Sequence, residues 1–188
     1  MKIIGITGTI GAGKGTIVDY LTTYYNFVHY SVRGYLIKEI TRRGLPVNRD
    51  SMVAVANELR SKNSSSFITD ELYKEAESKG QNAIIESIRT FGEVNSLRET
   101  DDFVLLAIDA DPEVRYQRIV KRKSETDDIS FDTFLDNEKR EMTATDPNKQ
   151  NLAICIRQAD FILTNNDGFE ELYRQIDSVM KTLNIKSI

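Results

Sequence analysis

Tryptophan is absent from this chain, and cysteine and histidine occur once each, as Cys155 and His29. One thiol cannot close an intramolecular disulfide, and one thiol with one imidazole cannot build a cysteine-rich zinc site, a histidine metal cluster or a chain of histidine proton relays. A lone cysteine fits a reducing compartment. Long apolar runs are missing as well. Away from the N-terminus the longest is Phe103 to Ile108, far below the roughly 20 residues that span a bilayer. The N-terminal run Met1 to Thr7 is short and soon interrupted by glycine, unlike a signal peptide. The expectation is a soluble cytoplasmic protein. Nor is there an excess of basic charge: 25 Lys and Arg stand against 29 Asp and Glu, a net charge of −4. The bulk field therefore draws neither nucleic acid nor an anionic membrane, and any basic site must be local. No period of 20 to 50 residues repeats. The one low-complexity stretch, Ser64-Ser65-Ser66, reads as a loop.

What is present suits a globular fold. The chain has 188 residues, 40% of them apolar and 29% charged. That length suggests one domain able to bury roughly 70% of the surface its unfolded form exposes. Short apolar runs of the buried-strand kind fall at Ile3–Thr7, Phe27–Ser31, Ala83–Ser87, Phe103–Asp109 and Phe161–Thr164. Helical periods lie between them. Asp50–Lys62 and Pro112–Lys123 read as helices, the second opened by Asp111 as N-cap and Pro112 at the first helical position. Leu172, Ile176, Val179, Met180 and Leu183 mark the inner stripe of a last helix. Strands that alternate with helices and are apolar on both faces predict an α/β fold, a five-stranded parallel sheet covered on each side by right-handed crossovers. Between the second and third strands lie about fifty residues, more than one crossover requires, which predicts extra helices forming a lobe over about residues 31–80.

The most specific motif is Gly8-Thr9-Ile10-Gly11-Ala12-Gly13-Lys14-Gly15-Thr16, placed directly after a strand and opening a helix. Its spacing is that of a phosphate-binding loop. Glycines let successive N–H groups point into one concavity, where the helix N-terminus adds partial positive charge. Lys14 is expected to reach β and γ phosphates, and Thr16 to bond a phosphate oxygen or the water shell of magnesium. The strict pattern puts Ser or Thr immediately after the lysine. Here Gly15 intervenes, which weakens direct ligation of magnesium by a hydroxyl.

The segment Gly11 to Thr16 is similar to the loop of adenylate kinases, where a glycine also follows the lysine. Later segments look like an archaeal family of adenylate-kinase-related P-loop proteins. Ala159-Asp160-Phe161-Ile162-Leu163-Thr164-Asn165-Asn166-Asp167-Gly168 also resembles dephospho-CoA kinase. The resemblance implies a P-loop kinase fold of the nucleoside monophosphate kinase type, with ATP and Mg2+ as cofactors, a small-molecule phosphoryl acceptor as partner, and a short lid. A switch GTPase is set aside, because Asn148-Lys149-Gln150-Asn151 lacks the aspartate that pairs with guanine. The size leaves no room for the extra elements of a motor or transporter ATPase.

Phosphoryl transfer asks for cations that reach the loop from several elements. Glu86 and Arg89 stand at the carboxyl edge of the third strand and face the crevice of such a sheet, unless they only pair with each other. The resemblance implies that the acid sits near magnesium, reached through water, and that the arginine grips substrate phosphate. Arg115, Arg118 and Arg122 share one helix face, with Lys121 and Lys123 beside them. They look like the entry to a lid at about 123–130, although a solvated helix face also accounts for them; Arg118 and Arg122 are the better candidates, and Arg140 on the return helix is a further one. Asn165 is implied to lie against the adenine edge, or else belongs to an ordinary Asn-rich turn. Asp109 either orients water around magnesium or serves as a loop acid. The resembled kinases carry an Asp-x-x-Arg set after the second strand, where this chain has Gly34 and Ile37; Arg33 is the neighbouring cation that could replace the missing arginine. His29 reads as a strand-edge residue, Cys155 as helix core, and Tyr20, Tyr24 and Tyr25 as packing residues.

The first expectation is therefore ATP-dependent transfer to a nucleotide-like acceptor. Lys14, Arg89, Arg118 and Arg122 would serve the transfer. Gly8, Gly11, Ala12, Gly13, Gly15, Thr16 and Asn165 would help hold the nucleotide, Arg33, Glu86, Arg89 and Arg140 the acceptor, and Thr16 and Glu86 the metal. Two alternatives stand beside it: transfer to dephospho-CoA or another alcohol, with Glu86 as base, and an ATP-gated binding module with little transfer. Either a monomer or a homodimer is expected.

Overall fold

The computed structural model describes residues 1–100, 102–122 and 129–188. Residues 123–128, most of the expected lid, lie outside the described residues. The chain runs β1 (Ile3–Gly8), α1 (Lys14–Tyr24), β2 (Val28–Ser31), α2 (Val32–Arg42), α3 (Arg49–Lys62), α4 (Phe67–Lys79), β3 (Ala83–Glu86), α5 (Phe91–Arg98), β4 (Phe103–Asp109), α6 (Pro112–Arg122), α7 (Phe131–Met142), α8 (Leu152–Arg157), β5 (Phe161–Thr164) and α9 (Phe169–Thr182). Each predicted strand is present, to within a residue at its ends. The long excursion between β2 and β3 holds three helices, α2, α3 and α4.

All strand pairings are parallel, in the order β2-β3-β1-β4-β5. β1 lies at the centre, with Ile4 opposite Ile84 of β3 on one side and Val104 of β4 on the other. Because side chains alternate along a strand, the sheet feeds two cores. Ile3, Ala83, Ile85 and Leu105 face α2 to α5 and α8. Ile4, Ile6, Ile84, Leu106 and Ile108 face α1 and α9. Both faces are covered, so the strands read as continuous apolar runs in the sequence.

The α1–α9 layer is closed by hydroxyls as well as by apolar packing. Tyr20 and Tyr25 both donate to Asp177 of α9, at 2.9 and 2.6 Å, and Tyr20 stacks on Tyr173 with ring centroids 4.3 Å apart. Cys155 is fully buried in the other core, and burial pushes its thiol up to about 12. It is a packing residue and not a nucleophile.

Parallel strands bring their carboxyl ends to one edge. β1, β3 and β4 all end there, and the chain leaves β1 toward β2 but β3 toward β4. The crevice between β1 and β3 is thus the point where the connections diverge, the usual place for a ligand in an open α/β sheet.

Candidate functional site

The loop after β1 is bent by glycines that no other residue replaces at two positions. Gly11 has φ 80°, and a Cβ there would stand 2.6 Å from the Arg115 carbonyl oxygen. Gly13 has φ 113°, and its Cβ would stand 2.4 Å from Asn165 Nδ2. Both clashes add to the cost of a left-handed backbone. The bend leaves the N–H groups of Gly11, Gly13, Lys14 and Gly15 with no protein acceptor among the described residues. Gly13 caps α1 without a side-chain bond, and the first turn of that helix carries no acidic residue. These orphan donors and the helix dipole together form a cradle for an anion.

Lys14 folds back on the cradle. Its Nζ donates to the carbonyl oxygens of Gly8 and Thr9, both at 2.9 Å. Burial, reinforced by the Arg89 charge, lowers its pKa from 10.5 to about 7, against the opposing pull of Glu86 and Glu141. An ammonium held this way is short of negative charge. A polyphosphate on the loop would supply that charge and restore the proton. Below about pH 7 Lys14 is already protonated and binding moves no proton. Between about 7 and 10.5 binding takes one up, and near pH 8.5 the uptake from titrations of Mg-ATP in buffers of different ionisation enthalpy should approach one per chain. Heats that do not vary with the buffer would contradict this account of Lys14.

The loop is braced from three sides. Thr9 Oγ1 donates to Asp109 Oδ1 at 2.6 Å. Asn165 Nδ2 donates to the Ala12 carbonyl at 2.8 Å. Arg115 is buried beneath the loop, donating through Nε to the Ala110 carbonyl at 2.6 Å and through Nη1 to the Ile10 carbonyl at 3.3 Å, while its guanidinium is paired with Glu138 of α7 at 2.6 and 2.9 Å.

Above the sheet edge opens a cleft of about 1050 Å3 lined by Gly11, Gly13, Lys14, Gly15 and Thr16 of the loop, and by residues of α2, α3, α6, α7 and the segments after β3 and β5. Eight of its lining residues are basic and three acidic, in a chain whose net charge is −4. The basic ones are Lys14, Arg33, Arg49, Arg60, Arg89, Arg118, Lys121 and Arg122; the acidic ones are Asp19, Glu86 and Glu141. The local basic site that the overall charge required is here.

β3 delivers Glu86 and Arg89 to this cleft through a turn in which Ser87 has φ 71°, a strained value for a non-glycine residue. Glu86 and Arg89 are not paired with each other. The carboxylate of Glu86 accepts from Ser87 Oγ and meets His29 Nε2 at 3.0 Å. Burial pushes Glu86 up, but His29 and Ser87, with the Lys14 charge, outweigh it and hold the group below the usual carboxylate range. Arg89 Nη1 donates to Glu141 Oε2 at 2.7 Å and to Gln150 Oε1 at 2.9 Å. Glu141 also pairs with Arg49 of α3. It resists burial's upward push because both guanidiniums hold it ionised. One carboxylate on α7 thus fixes two cationic groups from different parts of the chain.

At the other end of the cleft, Arg118 Nη2 donates to the Asn165 carbonyl at 2.7 Å, while Nη1 is buried with no partner. Burial lowers the Arg118 pKa. Arg122 lines the same wall, and Phe169, 64% exposed, stands at its rim beside Gly168.

The expected site residues therefore separate. Lys14, Gly11, Gly13, Gly15, Thr16, Glu86, Arg89, Arg118, Arg122, Arg33 and Asn165 meet on one cleft. Gly8 and Ala12 lie behind the loop and shape it from outside the lining. The Asn165 amide is spent on Ala12, so only its remaining atoms can face a base. Arg140 does not line the cleft: it is exposed and bonded to Asn137 of its own helix, and the neighbouring Glu141 is the residue that enters. Asp109 and Arg115 are braces of the loop and stand outside the lining. The sequence reading missed Arg49, Arg60, Glu141 and Phe169.

Residues 4–146 match the family described as AAA domain. A UPF0200 protein of Methanocaldococcus jannaschii is 29% identical over 186 residues, covering 97% of this chain and 91% of that protein. Among solved structures, a sugar kinase from Janibacter sp. superposes with a TM-score of 0.56 at 17% identity, covering 98% of this chain and 95% of its own. A shikimate kinase from Bacteroides thetaiotaomicron superposes with a TM-score of 0.56 at 15% identity, covering 97% and 98%. At such identities the likeness is one of fold. It agrees with the strand order and the loop: the fold is that of the P-loop kinases.

Proposed function

This chain belongs to the AAA domain family, and on that premise we propose that it transfers the terminal phosphoryl group of ATP to a small anionic acceptor. The observation that carries the reading is the excess of cations on one cleft beside the loop, in a protein of negative net charge. Lys14 and the unpaired loop N–H groups bind the β and γ phosphates. Arg118 and Arg122 neutralise charge on the group in flight, and Arg89 holds the acceptor. The bond from the γ phosphorus to its bridging oxygen breaks as a bond to an acceptor oxygen forms, with ADP as leaving group. No covalent enzyme intermediate is required; the protein aligns the reactants and places charge where it develops.

Magnesium fits this site as a companion of the phosphates. No cluster of three or more His, Cys, Asp or Glu able to hold a metal occurs among the described residues. Both oxygens of Glu86 are engaged, so Glu86 and Thr16 suit contact through water. When bound, the ion would supply positive charge that offsets the phosphates, held by Glu86 and Thr16 through its water.

An ionised acceptor oxygen needs no base. An alcohol such as dephospho-CoA needs one, and Glu86, held ionised by His29 and Ser87, is a weak base. The test is a panel of nucleoside monophosphates, shikimate and dephospho-CoA, each incubated with γ-labelled ATP and magnesium. Label is expected on a nucleoside monophosphate or on shikimate, small acceptors that carry a phosphate or a carboxylate. Label on dephospho-CoA alone would transfer the reading to an alcohol kinase, and tight ATP binding with no labelled product on the panel would favour a nucleotide-gated module.

A further inference from the structure

The cleft has a second end that no motif marked. Met52, Val53, Ala56 and Arg60 of α3 all line it. At about 1.5 Å of rise per residue, Arg60 lies roughly 12 Å along the helix from Met52. An apolar stripe thus runs along the wall and finishes on a guanidinium. Val32 and Leu36 of α2 add to the apolar wall.

Arg60 is unusual for a basic residue at a helix C-terminus. Its side chain is 1% exposed and paired with Glu93, whose side chain is 0% exposed. Nε and Nη2 both donate to Glu93 Oε1, at 3.3 and 2.8 Å. The other oxygen of Glu93 accepts from the backbone N–H groups of Arg89 and Thr90, at 2.7 and 3.0 Å. One carboxylate therefore fixes the guanidinium on α3 and the stretch of chain that carries Arg89. Arg60 Nη1 remains buried without a partner among the described residues. A buried donor left unmade is costly, and native proteins seldom keep one. The chain retains it on the wall of the cleft whose other buried, unpartnered guanidinium nitrogen, Arg118 Nη1, lies at the nucleotide end.

The geometry points to Arg60 Nη1 as the anchor for an oxyanion, carboxylate or phosphate, on the acceptor itself, whose apolar body lies along Met52, Val53 and Ala56. This deepens the kinase reading and rests on it. The arginine missing from α2 at Ile37 is supplied from α3, and because Glu93 ties Arg60 to the Arg89 segment, the two acceptor contacts keep a fixed separation. The acceptor class is a small molecule with an apolar face and a carboxylate or phosphate beyond it. Guanidinium forks suit both carboxylate and phosphate, so the two sources are separated by experiment.

Titration calorimetry with AMP and adenosine, and with shikimate and its methyl ester, provides the test. In the wild-type chain at least one anionic probe should bind about 30-fold more tightly than its neutral counterpart, the worth of one charge-assisted bond. Which of the two does so identifies phosphate or carboxylate. Arg60→Lys keeps a cation on Glu93 and the fold with it, but loses the free arm. It should reduce the preference at least roughly tenfold, Arg89 being left, while leaving Mg-ATP affinity within twofold. The double variant Arg60→Met/Glu93→Gln removes both charges together and should behave in the same way. No preference in the wild-type chain, or an undiminished preference in Arg60→Lys, overturns the proposal. Either result, obtained with a normal Mg-ATP heat, leaves the P-loop reading intact, whereas absence of the Mg-ATP heat strikes that reading first.

Discussion

Replacing Lys14 with methionine is expected to lower transfer from Mg-ATP by roughly 10³-fold, the loss typical of removing one pre-placed charge-stabilising donor. The reason is local. Among the described residues the Lys14 ammonium donates only to the Gly8 and Thr9 carbonyls, and burial beside Arg89 has lowered its pKa to about 7. It contributes little to folding in that state, because a desolvated cation facing other cations is poorly satisfied. The methionine stem fills nearly the same space without the charge. Thermal unfolding should therefore occur at the same temperature or slightly higher while turnover collapses. Proton uptake on binding Mg-ATP at about pH 8.5 should disappear with it. Unchanged turnover with intact folding would remove Lys14 from the chemistry.

The second large effect is on stability. Glu93→Ala deletes the carboxylate that pairs with buried Arg60 and accepts from the Arg89 and Thr90 N–H groups. It thereby removes the side-chain half of the capping box that opens α5, while Thr90 Oγ1 still accepts from the backbone N–H at position 93. Breaking a buried pair on one side costs about 3–5 kcal/mol. A domain with about 5–15 kcal/mol in hand would lose a large part of it. Urea denaturation of Glu93→Ala should show a midpoint far below the wild type, whereas Glu75→Gln, which breaks the exposed Glu75–Lys79 pair, should leave the midpoint in place. Equal midpoints for all three proteins would mean that the Arg60–Glu93 pair does not hold α3 against α5.

Much of this was readable from residues alone, and what was not has a physical cause. The strands announced themselves because both faces of the sheet are buried, so Ile3 to Thr7 and Phe103 to Ile108 carry no polar alternation to mislead. The loop is local in sequence, and its glycines, lysine and following helix specify the cradle without distant help. Arg115 and Arg118 share a helix face in sequence but not an environment. One turn of α6 separates a brace under Ile10 from a guanidinium bonded to the Asn165 carbonyl on the wall of the cleft. Arg140 and Glu141 differ by a step of about 100° around α7. That step replaces the expected cation with an anion clamping Arg49 and Arg89. Arg60 was hidden for another reason. At the end of α3, beside Ser61 and Lys62, a basic residue reads as an ordinary complement to the helix dipole, and only the reach of its side chain to Glu93 in the first turn of α5 reveals its buried partner.

Calorimetric titration of the purified wild-type chain with Mg-ATP tests the central claim most directly. Saturable heat at micromolar to millimolar nucleotide, lost in Lys14→Met, is the predicted result. A folded wild-type chain that gives no heat with Mg-ATP, or with any other magnesium nucleoside triphosphate at millimolar concentration, would contradict it.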